Sequence, residues 1–296
     1  MGLIGSRLGQ FNNIPRENNS WRITSVDFAR RIIKINKTKY IIGEHELGRG
    51  AFGRVYPARR STDGVNVAIK VVSLAENSEI SPLLGEAFLN EILQSKRLSA
   101  QSKHVVRMYD FDFDPVGLAF IVMERGGLDL EKTLINKRTI SIAQQKNLWK
   151  QMLNILITLH KNSLVHLDLK PSNLVFFGDR LKLVDLGIAQ KANSRGQGPN
   201  GTFGFTAPEV RLIPHNSSPR YTHKADIWSL GAILYWINYG HGPQYDQHDR
   251  SYRPPPGIPS ARDPNIVDIL RHTLRMNPHR RPHTDWLARH PFTRSF

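Results

Sequence analysis

Cysteine is absent from all 296 residues, which excludes disulfide bridges and thiolate-bound metals and leaves the redox compartment unmarked. Acidic side chains are scarce: 25 Asp and Glu stand against 41 Lys and Arg, a formal net charge of +16. A surplus of that size attracts acidic or already phosphorylated proteins, and polyanions such as microtubules or chromatin. The basic residues are scattered, Arg30, Arg31, Lys34, Lys37, Arg271 and Arg275 among them, and are not interleaved with aromatics. Sequence-specific nucleic-acid binding is therefore not expected. No apolar run reaches the roughly 18 residues that a membrane-spanning helix needs. The longest, Leu230 to Ile237, reads as a core helix, and no internal repeat or long low-complexity tract is present.

Three groups of residues carry the chemistry. Gly48-Arg49-Gly50-Ala51-Phe52-Gly53-Arg54-Val55 lies between two β-like runs, Tyr40 to Leu47 and Arg54 to Arg60, so it forms a hairpin tip and not the strand-to-helix turn of a dinucleotide fingerprint. Its glycines let backbone N–H groups approach phosphates and let the turn visit positive φ. Ser61-Thr62-Asp63-Gly64 reads as the next tight turn, followed by a buried strand, Val65 to Val72, that contains Ala68 and Lys70. A lysine in an apolar strand is costly to bury unless its charge is paired. The helix-like stretch Ser81 to Leu98 offers two carboxylates, Glu86 and Glu91, which point about 140° apart around a helix. Further on, Leu148, Met152, Leu156 and Leu159 mark one buried face of a helix within Ser141 to Leu164. Then come His166-Leu167-Asp168-Leu169-Lys170-Pro171-Ser172-Asn173 and Asp185-Leu186-Gly187. A phosphate cover, a buried lysine, a base and two metal ligands are the parts needed for phosphoryl transfer.

In this order and spacing the segments resemble the protein kinases, over about Tyr40 to Phe292. The resemblance implies an α+β, two-lobed protein kinase fold: a small antiparallel β-sheet lobe with helix C at 40–122, a hinge at 123–127 and a larger, mainly α-helical lobe at 128–292, with a tail at 293–296. It implies ATP as substrate and Mg²⁺ as cofactor. ATP binding falls to Leu47, Gly48, Gly50, Gly53, Val55, Ala68, Lys70, Glu91, Met123, Glu124, Gly126 and Val175. Glu91 is taken as the partner of Lys70 because Leu89-Asn90-Glu91-Ile92 matches the helix C pattern better than the surroundings of Glu86. Asp168 accepts the proton of the attacking hydroxyl, Lys170 neutralises charge on the moving phosphoryl group, and Asn173 and Asp185 hold Mg²⁺. Thr202, in Gly201-Thr202, lies in the substrate loop, and with Lys170 it marks the serine/threonine form. Likewise Glu209, in Ala207-Pro208-Glu209, pairs with Arg281, and Asp226 holds the catalytic-loop backbone.

Within the kinases, Ile121-Val122-Met123-Glu124, Gly127-Leu128-Asp129-Leu130 and Leu181-Lys182-Leu183-Val184-Asp185-Leu186-Gly187-Ile188-Ala189 are similar to the monopolar-spindle (TTK-type) spindle-checkpoint kinases. That likeness puts Met123 at the gatekeeper position and adds tyrosine as a second acceptor. Four departures stand out. Leu167 replaces the arginine that many kinases pair with an activation-loop phosphate, such as one at Ser194 or Thr202, so ordering by that route is excluded. Leu186 replaces the phenylalanine of the metal motif, an apolar swap that cores tolerate. Ser95 takes a helix C position that is normally apolar. Between Gly240 and Asp263, where kinases carry helix G, no helical period is present. Two alternatives come from other classes: a catalytically weak kinase-fold scaffold, against which all the lysine, base and metal residues are retained, and a polyanion-binding protein. Residues 1–39 read as a partly disordered extension whose start, Met1-Gly2-Leu3-Ile4-Gly5-Ser6, fits the N-myristoylation pattern. Membrane contact is expected only through myristoylated Gly2; otherwise the chain is expected in the cytoplasm or nucleus.

Overall fold

The computed structural model describes residues 28–50, 53–74, 81–114, 117–135, 140–196, 200–212 and 218–294. The chain divides into two compact units, one running to Lys96 and resuming over Arg107–Arg125, the other made of Arg97–Val106 and everything from Gly126.

The first unit is built on a seven-stranded sheet: β1 (Ile32–Ile35), β2 (Thr38–Ile42), β3 (Gly48–Gly50), β4 (Gly53–Arg60), β5 (Asn66–Ser73), β6 (Met108–Phe113) and β7 (Leu118–Glu124). The order is β1-β2-β4-β5-β7-β6, with β3 also on β4, and every pairing is antiparallel. The run of buried positions from Val67 to Val72 makes β5 a central strand covered on both faces. The β4–β5 turn closes at Gly64, with φ +72° and its N–H on the Arg60 carbonyl at 2.9 Å. Pro57 sits within β4, a position that normally penalises proline because a ladder donor is lost. Its carbonyl accepts from Gly43 N–H at 2.7 Å, and on that same side the partner chain leaves the ladder between β2 and β3, so no acceptor waits for the missing donor.

The sheet starts before residue 40. β1 pairs with β2 across Asn36, whose backbone N–H donates to Asp112 at 2.7 Å and whose Nδ2 donates to Asp110 at 2.8 Å. Phe28 is buried beside Tyr56 and Phe120, with ring centroids 5.9 and 6.3 Å away. Residues 28–39 of the expected extension thus belong to this unit. Two strands of four and five residues between lysines and arginines are too short to show a period, and their burial comes from a partner 75 residues away. Residues 1–27, Gly2 included, lie outside the described residues. Helix α1 (Ser81–Ser99) buries Phe88, Glu91, Ile92 and Ser95, three and four residues apart, on one face.

The second unit is mainly helical: α2 (Leu130–Ile135), α3 (Ile142–Lys161), α4 (Pro208–Arg211), α5 (His223–Tyr239), α6 (Pro264–Thr273), α7 (Thr284–Arg289) and α8 (Pro291–Arg294). Short pairs complete it: β8 (Leu164–Val165) with β11 (Gln190–Lys191), and β9 (Leu174–Phe177) with β10 (Arg180–Leu183). Ser141 caps α3 through a reciprocal capping box with Gln144, and the face read from the sequence, Leu148, Met152, Leu156 and Leu159, is buried. From Ala225 to Tyr235 α5 is buried on all sides, and Gly240 at φ +79° ends it. Residues 241–263 contain no helix. At the other end, Thr293 lies in α8 and its hydroxyl accepts from Trp149 Nε1 at 2.8 Å, so the chain is packed beyond residue 292.

Candidate active site

In the first unit the glycine hairpin joins β3 to β4, with Gly48 opposite Val55 and Gly50 opposite Gly53. Its tip residues 51 and 52 lie outside the described residues. Leu47 N–H bonds the Val55 carbonyl at 2.7 Å and fixes the start of the hairpin. Gly53 has φ +139°, and a Cβ there would lie 2.3 Å from the Val71 carbonyl oxygen, so only glycine fits. Lys70 and Glu91 meet at 2.6 Å, Nζ to Oε2, with both side chains almost excluded from water. Glu86 is exposed. Ala68 stands opposite the buried Met123, and Val67 opposite Glu124, across β5 and β7. Glu124 N–H is committed to the Arg107 carbonyl at 2.9 Å.

In the second unit, Gly126 leaves room for β9: a Cβ on it would meet Val175 Cγ1 at 2.5 Å. The catalytic loop is held from below. The Asp226 carboxylate, wholly buried, accepts the N–H of His166 at 2.8 Å and that of Leu167 at 3.1 Å. Gathering two successive N–H groups on one carboxylate goes with φ +69° at Leu167, whose side chain packs into the apolar core. His166, given no role from the sequence, links the two halves of the motif. Its Nδ1 accepts from Asp168 N–H at 3.2 Å, so Nε2 carries the proton and donates to the Asp185 carbonyl at 2.9 Å. Asp185 is itself at φ +65°.

Above this base the expected catalytic side chains converge. Thr202 Oγ1 donates to Asp168 Oδ1 at 2.6 Å, and Lys170 Nζ lies 2.8 Å from both Thr202 Oγ1 and Asp168 Oδ2. Asn173 Nδ2 donates to the Asp168 carbonyl at 2.9 Å. Asn173 and Asp185 are joined through the backbone, Val184 N–H bonding the Asn173 carbonyl at 3.0 Å.

The activation segment is strapped to the chain that precedes α5. Asn193 N–H bonds Tyr221 O at 2.7 Å, Tyr221 N–H bonds Ser194 O at 3.0 Å and Gly196 N–H bonds Pro219 O at 3.0 Å. The Tyr221 ring occupies the place a Cβ on Gly196 would need, 1.9 Å away. Ser194 Oγ is buried with no hydrogen-bond partner, and Thr202 is engaged by Asp168 and Lys170, so neither hydroxyl is presented for modification. Next to this segment Tyr245 donates to the Thr206 carbonyl at 2.8 Å, and burial pushes its phenol up to about 12, keeping it a neutral donor. Glu209 takes Arg281 in a fork of two 2.7 Å bonds, and Arg281 also donates to the carbonyls of Lys224, Arg275 and Met276. The family profile of the protein kinase domain matches residues 41–293.

The chain belongs to the protein kinase family. It is 30% identical over 294 residues to mouse dual specificity protein kinase TTK, covering 92% of this chain and 33% of that protein. It is 31% identical over 268 residues to the probable serine/threonine-protein kinase mps1 of Dictyostelium discoideum (83% and 27%), and 30% identical over 303 residues to zebrafish serine/threonine-protein kinase 10 (98% and 30%). The chain therefore spans a third or less of these relatives' lengths. Its fold is the two-lobed protein kinase fold, and the family works with ATP and Mg²⁺. Among the described residues no three His, Asp or Glu side chains form a metal cluster. Mg²⁺ takes one or two protein ligands and fills its octahedron with phosphate oxygens and water. Asn173, whose Nδ2 donates to the Asp168 carbonyl, and the carboxylate of Asp185 are the residues that could hold it.

Proposed function

We propose that this kinase transfers the γ-phosphoryl group of ATP to serine and threonine hydroxyls of acidic or pre-phosphorylated proteins, with Asp168 as the base. The Asp168–Lys170–Thr202 cluster carries the reading. A carboxylate already accepting a hydroxyl proton at 2.6 Å has the geometry to accept one from a substrate, with Thr202 standing in for that hydroxyl. Lys170, 2.8 Å away, supplies positive charge where negative charge accumulates on the transferred group. Lys70, oriented by Glu91, pairs with the nucleotide phosphates, and Gly48, Gly50 and Gly53 cover them; the kinase resemblance assigns adenine contacts to Leu47, Val55, Ala68 and Met123 of the first unit and to Gly126 and Val175 of the second. Mg²⁺, held by Asn173 and Asp185, supplies charge neutralisation on the phosphates. The net charge of +16 supports acidic substrates through electrostatic attraction. Likeness to the TTK-type relatives supports two finer readings: tyrosine as a further acceptor and a place in spindle-checkpoint signalling, in the cytoplasm or nucleus.

The test is Asp168→Asn, with turnover and ATP affinity measured separately. Turnover is expected to fall by at least about 10²-fold while the ATP dissociation constant changes only a few-fold, since the base acts on the hydroxyl and not on nucleotide binding. Turnover retained in the variant would remove Asp168 from the role of base.

A further inference from the structure

In the irregular stretch after α5 the chain reads Arg253-Pro254-Pro255-Pro256-Gly257-Ile258-Pro259. Four of these seven residues are proline, which offers no N–H to a helix or a ladder and holds φ near the polyproline II value. Arg253, Pro256, Gly257 and Pro259 are exposed, and Ile258 is 49% exposed. Both flanks are tied to α5: Tyr235 donates to the Arg253 carbonyl at 2.9 Å, and Ala261 N–H donates to the Tyr239 hydroxyl at 3.1 Å. A short proline-rich span is therefore presented outward on a fixed base, in a place where none of the catalytic residues lies.

We propose that residues 253–259 dock a protein domain of SH3 type, one whose binding groove is lined by aromatic side chains and flanked by acidic ones. Once extended into polyproline II, with three residues per turn, the segment would put Arg253, Pro256 and Pro259 on one edge and Pro255 and Ile258 on the next. Two apolar ridges with a cation at one end are what an aromatic groove with an acidic rim recognises. Local charge agrees. Arg250 and Arg262 flank the segment in the chain and Arg271 lies 5.3 Å over the Tyr252 ring, while Asp249 is occupied by Arg275 and Arg280 and Asp263 caps α6. In this structure Gly257 is at φ +79° and Ile258 N–H bonds the Pro255 carbonyl at 3.0 Å, closing a turn. Docking extends that turn, at the loss of one hydrogen bond, and glycine enters either conformation without a Cβ clash.

The purified full chain is titrated against an array of purified SH3 domains, with WW domains alongside. Domains with acidic rims are expected to bind the native chain. Pro256→Ala/Pro259→Ala and, separately, Arg253→Glu should each weaken that binding by about tenfold or more, with phosphoryl transfer to a peptide held within about twofold. Gly257→Ala, which disfavours the turn, should tighten it by about threefold. Failure of every SH3 domain to bind, binding by WW domains alone, or SH3 binding unchanged in the proline and arginine variants overturns the proposal.

Discussion

Glu91→Gln removes one charge from a pair whose side chains are 7% and 5% exposed and whose Nζ and Oε2 atoms are 2.6 Å apart. The amide that replaces the carboxylate can still accept a hydrogen bond from Lys70 but no longer offsets its charge across the 2.6 Å contact. Breaking a buried pair from one side costs about 3–5 kcal/mol, and Lys70→Met, which removes the cation from the same pair, should cost about the same. If the two side chains stabilise the fold mainly through each other, removing both costs much less than the sum of the singles, with a coupling energy of up to about 3 kcal/mol. Urea unfolding of the wild-type chain, both single variants and the double variant, read from the midpoint and slope, gives the cycle. Parallel steady-state kinetics should show both single variants impaired in transfer and, again, less than additive. Glu86→Gln is the control: an exposed carboxylate should move stability by no more than about 0.5 kcal/mol. Additive losses in the cycle, or a Glu86→Gln variant as damaged as Glu91→Gln, would refute the pairing argument.

Phosphatase-treated enzyme is expected to keep most of its activity on an acidic peptide, because Leu167 is buried in the core and the activation segment is held by backbone bonds to residues 219 and 221; silencing by phosphatase, reversed by autophosphorylation, would contradict this. The Michaelis constant for that peptide should rise with added salt as attraction to the basic surface is screened. Burial, with a smaller contribution from His160 stacked 4.0 Å away, lowers His223 to about 4, below its ordinary 6.5. A base whose folded-state value is depressed stays neutral while the unfolded chain takes up a proton, so its contribution to stability is present above about pH 6.5 and declines toward pH 4 by about 3 kcal/mol at most. Urea midpoints measured from pH 7.5 down should fall in the wild type and fall less steeply in His223→Gln. Gly53→Ala places a Cβ 2.3 Å from the Val71 carbonyl and should open the hairpin, raising the ATP dissociation constant by about tenfold or more, measured by titration calorimetry.

The catalytic parts were legible because each is a run of neighbouring residues whose spacing is tied to its chemistry. Gly48 to Val55 reads as a hairpin tip from its flanking strands alone, and His166 to Asn173 places base, lysine and amide in one short loop. The helix face at Leu148, Met152, Leu156 and Leu159 and the gap in periodicity after Gly240 follow equally from local pattern. The strand β1 did not, because four residues hold no measurable period and their burial depends on Asp110 and Asp112, far along the chain.

Residue order alone therefore determined the family resemblance, the elements with a long enough period and the candidate chemistry, all of which rest on short-range spacing. Tertiary structure decided which groups share a bond. It put Glu91 2.6 Å from Lys70, as the helix C pattern implies, made His166 the link between Asp168 and Asp185, committed the Glu124 N–H to Arg107, and buried the Ser194 hydroxyl. Most of those outcomes join residues distant in sequence, where the strength of a contact is set by burial and direction, and neither quantity is written in the local pattern.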